Sequence, residues 1–312
     1  MDPNTSSLSI RSAENLEEAK ALWWPLMKEL GWNRAEEDAA THYSVAEDGK
    51  NWLVILPEGS DTPQGMVIPF IYPNDTAWVG FFIMNATFRG HGLGRKLWKE
   101  MELAFEKAGT TSVGLDGVEE QVETYKRRGF EDCARIPLMT RDSLGQKAID
   151  VTWLETDAVA LLNLRDVHAE QLAELDLAHT GLDRSAYWST GALTSRIDSL
   201  GYAVVADKVV SFVYARRCEH GVRIGPLYAA THSQARQLLH RVMIDFAKPQ
   251  DTFIAEVFGT NPNGRKVFEE LGWDYAGLSY HRMWLKGKVP SEQQEGGRGT
   301  SGMFAILDAC AG

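Results

Sequence analysis

Three glycines lie where an apolar run gives way to a helical pattern, in the segment Arg89-Gly90-His91-Gly92-Leu93-Gly94. Glycine adopts backbone conformations that other residues avoid, and it lets a ligand approach the main chain closely. A helix that starts here would present its unpaired N–H groups and the positive end of its dipole to the same loop. Together these features predict a binding site for a phosphate or pyrophosphate group.

The elements around this loop follow from the spacing of apolar residues. The apolar run that begins at Thr76 and breaks at the glycine loop predicts a strand, and the residues after the loop recur at helical spacing until Gly109. Up to about residue 140, the pattern predicts a strand, two helices, antiparallel strands, the loop with its helix, and then strand, helix and strand. The predicted fold class is a mixed α/β layer with helices on both faces of the sheet.

The composition limits the partners that we expect. The 312 residues carry a net charge of −11, which argues against general binding to nucleic acid or to an anionic membrane. No apolar run approaches the roughly 20 residues of a membrane helix. The eight histidines and three cysteines lack metal-ligand spacing, so we expect no metal. Because the start lacks a secretory signal and the cysteines form no disulfide framework, the sequence predicts a cytoplasmic protein.

The later part of the chain repeats the earlier part in outline. Residues Thr124 to Asp132 have a counterpart of equal spacing in Val267 to Tyr275. We interpret this repeat as a duplicated fold with domains 1–145 and 146–312, here called the first half and the second half.

Two further segments complete the predicted organisation. The polar stretch from Arg141 to Asp150 is the predicted linker. The stretch from Lys286 to Gly302 is rich in Gly, Ser, Glu and Gln and is predicted to be a mobile tail. The apolar residues Met303 to Leu307 are predicted to dock as a final strand.

The glycine loop, together with Tyr125 shortly before Gly129-Phe130, resembles the GNAT acetyltransferases. Their acetyl-CoA loop reads R/Q-x-x-G-x-G/A, and a tyrosine lies just before a Gly-Phe pair. The resemblance is closest to a two-domain GNAT subfamily and covers nearly the whole chain. The matching segments are Gly31-Trp32-Asn33, Asp38-Ala39, Gly80-Phe81-Phe82-Ile83, Gly114-Leu115-Asp116-Gly117-Val118, Asp183-Arg184, Gly225-Pro226-Leu227 and Asn261-Pro262-Asn263.

This resemblance implies two tandem GNAT-like domains, each with a mostly antiparallel central sheet. It also implies an acetyl-CoA-dependent N-acetyltransferase that acts on a primary amine of a small molecule, by direct attack in a ternary complex. We expect a monomer or a homodimer. A peptide or protein acceptor is an alternative, and so is a catalytically weak regulatory protein that binds acetyl-CoA.

The resemblance also assigns roles to individual residues. The main chain around Phe82 and Met84 would pair with pantetheine, and the loop would wrap the pyrophosphate. Tyr125 would protonate the departing thiolate, with a modest gain because a tyrosine is a weaker acid than a thiol. The expected cofactor-binding residues are Phe82, Ile83, Met84, Arg89, Gly90, His91, Gly92, Leu93, Gly94 and Arg95.

The acceptor side is less sharply defined. Asp116 is the first candidate for the base, with Asp38 and Glu36 as alternatives, and these carboxylates could equally hold a cationic substrate. The sequence equally favours a structural role for Asp116, as a turn residue or a helix cap. The residues expected to border the acceptor are Trp32, Asn33, Glu36, Asp38 and Phe81, of which Trp32 and Asn33 could instead be structural.

The second half departs from this pattern at two places. The counterpart of the glycine loop, Ala229 to Gln234, contains no glycine, and Phe268 stands where the first half has its tyrosine. We therefore predict a degenerate second domain and one active site, in the first half.

Overall fold

A computed structural model describes residues 8–147, 149 and 159–312 of the chain. Residues 148 and 150 of the predicted linker lie outside this part. The described chain divides into two compact units. The first unit ends at Val113 and includes Ala311, and the second unit runs from Gly114 to Cys310 and includes Gly312.

The first unit contains a four-stranded antiparallel sheet in the order β1-β2-β3-β4. Its elements are β1 (Ser9–Ser12), α1 (Leu16–Leu30), α2 (Asp38–Val45), β2 (Leu53–Leu56), β3 (Gly65–Ile71), β4 (Thr76–Met84) and α3 (Leu93–Ala108). The side chain of Asn15 caps α1 by accepting a hydrogen bond from the N–H of Glu18, and Gly31 ends this helix in the left-handed conformation. The predicted helix after the glycine loop corresponds to α3.

The second unit contains the other strands. Its elements are α4 (Val122–Lys126), β6 (Phe130–Arg141), β7 (Leu162–Asn163), α5 (Ala169–Thr180), α6 (Ser185–Ser189), β8 (Ser199–Val205), β9 (Val209–Arg217), β10 (Val222–Tyr228), α7 (His232–Phe246), β11 (Phe253–Glu256), α8 (Gly264–Glu270), β12 (Asp274–Leu285), α9 (Arg298–Gly302) and β13 (Met303–Ala305). Strand β5 (Ser112–Gly117) crosses the division, and its last four residues belong to this unit. The strand order is β5-β12-β6-β11-β10-β9-β8-β7, with β13 paired to β10.

The two halves exchange strands within the second unit. Strand β12 of the second half pairs with β5 of the first half, with Arg282 opposite Asp116. Strand β6 of the first half in turn pairs with β11 of the second half, with Leu138 opposite Glu256. Because strand pairing links the halves, the division into compact units falls within β5, after Val113, and not at residue 145. The domain boundary at 145 stays a prediction.

The predicted fold class is confirmed. The sheets are mostly antiparallel, with β10 and β11 as a parallel pair, and helices pack on both faces. On β4, the ring of Phe81 contacts Trp23 of α1, whereas the ring of Phe82 contacts Trp98 of α3. No helix in the described residues is both long enough and apolar enough to cross a membrane.

Eight charged side chains buried in the second unit form four matched pairs. Four arginine–carboxylate pairs of the described residues have side chains that are at most 3% exposed: Arg184–Asp176, Arg216–Asp308, Arg223–Glu256 and Arg282–Asp116. An isolated buried charge is costly, so each guanidinium offsets the desolvation of its carboxylate. The Arg282–Asp116 pair joins strands that come from the two halves.

The segment from Lys286 to Gly302 is not a mobile tail, because it packs against the second unit. Gln293 is 5% exposed, donates a hydrogen bond to the carbonyl of Thr180 and accepts one from Arg282. A Cβ on Gly302 would lie 2.5 Å from Nε2 of His179. The glycines of this segment therefore permit close packing, which composition alone does not distinguish from flexibility. Strand β13 follows directly.

Candidate active site

Strand β4 carries a bulge at Phe81. This residue has a φ of 48°, and the pairing of β4 with β3 shifts register between Met66 and Ile68. A bulge bends its strand and re-aims a side chain, and bulges often lie next to active sites. Here the bulge is followed by Phe82, Ile83 and Met84, the residues whose main chain is predicted to pair with pantetheine.

The loop after β4 leaves the start of α3 open. Gly90 and Gly92 have φ values of 82° and 76°, and Gly92 is the N-cap of α3 without any side-chain capping bond. The first turn of α3 contains no acidic residue. The N–H groups at this helix end are therefore available to an anion.

The loop also has room for a ligand. Chain neighbours aside, no heavy atom of the described residues lies within 4 Å of the position that a Cβ would occupy on Gly90 or on Gly92. A Cβ on Gly94 would be in ordinary contact with Phe82 and Met84. The Nε of Arg89 donates to the carbonyl of Met84 at 2.9 Å, which fixes the loop to the end of β4. These features fit a pyrophosphate held by main-chain groups.

The corresponding helix of the second half is capped by a side chain of the protein itself. Thr231 is the N-cap of α7, and its hydroxyl accepts a hydrogen bond from the N–H of Gln234 at 3.2 Å. One of the N–H groups that would bind a phosphate is thus already satisfied by the protein.

The second half also fills the cleft that would correspond to a pantetheine site. Strands β10 and β11 pair only from Val222 to Ile224 and from Phe253 to Ala255. Beyond these residues, β13 pairs with β10, and Ala305 bridges to Val257. The N–H of Ile306 donates to the carbonyl of Glu256 at 2.9 Å. The chain's own strand therefore occupies the space between β10 and β11.

An aromatic cluster surrounds Phe81 in the first unit. The ring centroid of Phe81 lies 6.4 Å from Trp32, 5.7 Å from Trp23 and 5.0 Å from His42. The guanidinium of Arg34 lies 5.8 Å from the same ring. The structure thus brings together Trp32 and Phe81 of the predicted acceptor residues. Sequence reasoning missed Arg34, although it directly follows the Gly-Trp-Asn segment.

The other predicted acceptor residues have local structural partners. Asp38 is buried, and its carboxylate accepts a hydrogen bond from the N–H of Ala35 at 3.2 Å. Glu36 forms an ion pair with Lys20 at 3.2 Å. Asn33 adopts a φ of 44°, a left-handed conformation that asparagine tolerates. Their roles toward an acceptor remain predictions.

The carboxylate of Asp116 is buried and is held by an arginine of the second half. The Nε and Nη2 of Arg282 donate to the two carboxylate oxygens at 2.9 and 2.7 Å. Burial raises the pKa of Asp116, and the guanidinium of Arg282 opposes this shift. A carboxylate with both oxygens engaged and no solvent contact is poorly placed to accept a proton from a substrate. The geometry weighs against Asp116 as the base, a role that stays a prediction.

Tyr125 packs over Gly117, the last residue of β5. A Cβ on Gly117 would lie 2.9 Å from Cε2 of the tyrosine ring, so glycine is needed here. Burial raises the pKa of Tyr125 to about 12. The phenol therefore stays protonated at neutral pH, as a proton donor requires.

A groove of about 430 Å³ lies in the first unit, beside α1 and the turn between β2 and β3. Its lining includes the carboxylates of Glu18, Glu29 and Asp61, with Leu22 and Pro25 as apolar wall. Among the described residues, no group of three or more His, Cys, Asp or Glu side chains is arranged to hold a metal ion.

Family models match both halves of the chain. The model of the acetyltransferase (GNAT) family matches residues 16–130, and the model of an acetyltransferase (GNAT) domain matches residues 172–295. The chain belongs to the GNAT acetyltransferase family. It is thus an acyltransferase with two GNAT domains, as the repeat in the sequence predicted.

Individual relatives agree with this assignment. Holothin acyltransferase of Pseudoalteromonas sp. (strain SANK 73390) is 26% identical over 223 residues, which cover 69% of each protein. A putative acetyltransferase from Pyrococcus horikoshii has a similar structure, with a TM-score of 0.74, 16% identity and coverage of 100% of this chain and 99% of the other. A tandem GNAT protein from the clavulanic acid biosynthesis pathway gives a TM-score of 0.61, 16% identity and coverage of 89% and 98%.

Substitution of Gly92 is predicted to impair donor binding to this GNAT protein. In Gly92→Val, the side chain would strain a left-handed residue and fill the space beside the open N-terminus of α3, so the affinity for acetyl-CoA should fall at least about tenfold, or about 1.4 kcal/mol. Calorimetry with acetyl-CoA measures this change. Gly109→Val is the matched control, since Gly109 has a φ of 71° at the other end of α3. Equal losses in both variants would contradict a local anion site.

Substitution of Asp116 separates its two possible roles. Asp116→Asn leaves Arg282 buried without its charged partner, so the free energy of unfolding should fall by about 3–5 kcal/mol. Urea unfolding measures this loss. Asp274→Asn is the control, because its pair with Lys147 is exposed and should contribute less than about 1 kcal/mol. Unchanged stability with abolished turnover would instead support the base role.

Proposed function

We propose that this protein is an N-acetyltransferase that transfers the acetyl group of acetyl-CoA to a primary amine of a small molecule. The observation that carries the proposal is the uncapped, glycine-bounded N-terminus of α3 next to the bulged strand β4. This arrangement suits an anionic donor whose pantetheine arm pairs with main-chain groups. A cytoplasmic location and a monomeric or homodimeric state stay predictions from the sequence.

The proposed chemistry is direct transfer in a ternary complex. Acetyl-CoA supplies a thioester. The neutral amine nitrogen attacks its carbonyl carbon, a carbon–nitrogen bond forms and the carbon–sulfur bond breaks. Main-chain N–H groups around Ile83 would stabilise the negative charge on the carbonyl oxygen. Tyr125 would give its proton to the leaving thiolate and regain one from water, while the amine's surplus proton leaves to water. The proton count therefore balances.

The aromatic cluster around Phe81 supports a flat or aromatic acceptor. Trp32 is partly exposed and offers apolar ring surface, and the buried ring of Phe81 packs against it. The names of two similar proteins refer to holothin and to the clavulanic acid biosynthesis pathway, and neither names a protein acceptor. These features favour a small aromatic amine.

A peptide amine is the second candidate acceptor. The groove lined by Glu18, Glu29 and Asp61 would suit a basic peptide, and its open shape would allow a chain to extend along α1. Glu18 is already paired with Arg11 at 2.7 Å, which reduces the negative charge that a ligand would meet. A regulatory protein that binds acetyl-CoA without turnover is the third possibility.

An acceptor screen is expected to separate these three possibilities. Release of the CoA thiol is measured with panels of small aromatic amines, polyamines and basic peptides. We expect turnover with small aromatic amines above the rate of thioester hydrolysis without acceptor. Turnover with basic peptides alone would replace the small-molecule proposal, and acetyl-CoA binding without turnover on any panel would support the regulatory role.

Tyr125→Phe is predicted to slow transfer without weakening donor binding. Loss of a weak proton donor should lower kcat by about 10- to 100-fold, while the Kd for acetyl-CoA stays within about twofold. Because the pKa of Tyr125 is raised to about 12, its proton is retained as the pH rises through 10, so deprotonation of Tyr125 should not reduce wild-type activity there.

Rates measured from pH 6 to 10 in wild type, in Tyr125→Phe and in the exposed control Tyr275→Phe check this prediction. A wild-type rate equal to that of Tyr125→Phe at every pH would remove the tyrosine's role as the acid.

A further inference from the structure

His281 joins two carboxylates that lie apart in the sequence. It lies on β12 and is 5% exposed. Its Nδ1 lies 2.9 Å from Oδ2 of Asp132, and its Nε2 lies 2.6 Å from Oε2 of Glu119. In its protonated form, the imidazole ring donates to both carboxylates at once. Burial alone would raise the pKa of Asp132, but the hydrogen bonds from His281 and Arg135 hold it below its usual value.

The two carboxylates flank the helix that carries Tyr125. Glu119 begins a short 3-10 turn before α4, and Asp132 lies on β6 just after that helix. The imidazole therefore links the two ends of the segment from residue 119 to residue 132, which contains α4 and Tyr125. Because both ends of this segment are held by hydrogen bonds to His281, the segment can adopt fewer conformations.

The register of β12 places His281 beside the tyrosine. His281 is the cross-strand partner of Gly117, the residue over which the ring of Tyr125 packs. Side chains of directly opposed residues in an antiparallel pair project from the same face of the sheet, with Cβ atoms about 5 Å apart. The imidazole and the phenol ring therefore lie on one face, over neighbouring strands.

We propose that His281, contributed by the second half, is a positioning residue for Tyr125. By holding Glu119 and Asp132, it fixes the segment that presents the phenol hydroxyl for proton transfer. His281 itself transfers no proton in this scheme. The proposal rests on the proposed function, since it requires Tyr125 to act as the acid.

A double-mutant cycle in the full chain tests the proposal. His281→Gln is expected to lower kcat about tenfold. Removal of a general acid can lower kcat further than this, because it abolishes the proton transfer itself. The Kd for acetyl-CoA should stay within about twofold. In the Tyr125→Phe background, His281→Gln should have little further effect, because residues that act through one another are not additive. An equal tenfold loss in both backgrounds would indicate a general structural defect and overturn the proposal.

Two further variants distinguish a loss of positioning from a loss of folding. Glu119→Ala removes an exposed acceptor without changing the sheet interior and should lower kcat in the same direction, again only while Tyr125 is present. His168→Gln alters an exposed histidine at the start of α5 and should leave kcat unchanged. A Glu119→Ala protein with normal stability and normal kcat would also overturn the proposal.

A measurement independent of turnover separates this proposal from the proposed function. The ultraviolet titration of Tyr125 is obtained as the difference between each protein and its Tyr125→Phe form. If His281 holds the segment from residue 119 to residue 132 in place, His281→Gln should admit water to the ring of Tyr125. The pKa of Tyr125 should then fall from about 12 toward that of an exposed tyrosine. An unchanged titration would reject the positioning role, whereas a lowered pKa in a protein without transferase activity would reject only the proposed function.

Discussion

The register in which β12 pairs with β5 is the constraint on which the Tyr125 region depends. Arg282 opposes Asp116 and His281 opposes Gly117, so consecutive residues of one strand reach opposite faces of the sheet. On one face Arg282 engages the buried carboxylate, and on the other His281 engages the segment around α4. A slip of one residue would exchange these faces, burying an imidazole opposite Asp116 and removing both sets of contacts.

The buried ion pairs make this register costly to change. Arg282, Arg223 and Arg216 each pair with a buried carboxylate, and the N–H of Ala309 also donates to Glu256 at 2.8 Å. A shift of a strand that carries one of these residues would leave a buried charge without its partner, which costs several kcal/mol. The segment after β13 takes part through Asp308, the partner of Arg216. The segment after β13 is therefore fixed by electrostatics as well as by strand pairing.

Local features of this fold could be predicted from the sequence, whereas long-range pairings could not. The loop and the bounds of α3 follow from apolar spacing and from Gly92 and Gly109, because caps and helical periodicity are encoded within a few residues. The exchange of β6 and β12 depends on contacts between residues more than 100 positions apart, as the pairing of Asp116 with Arg282 illustrates. Nothing near Asp116 in the sequence indicates that a guanidinium will cover it. Composition also misrepresented the segment from 286 to 302, where the glycines serve close approach.

The second half differs from the first at positions that correspond to the predicted ligand site. Thr231 caps the helix, Phe268 stands in the place of the tyrosine and is fully buried, and β13 fills the cleft. The second half also supplies β11 and β12, the strands that pair with β6 and β5 of the first half. A copy that supplied only its own catalytic site could be lost without consequence for the other. A copy that provides Arg282 and His281 cannot, because the first half's β5 would then lack its partner strand in the second unit.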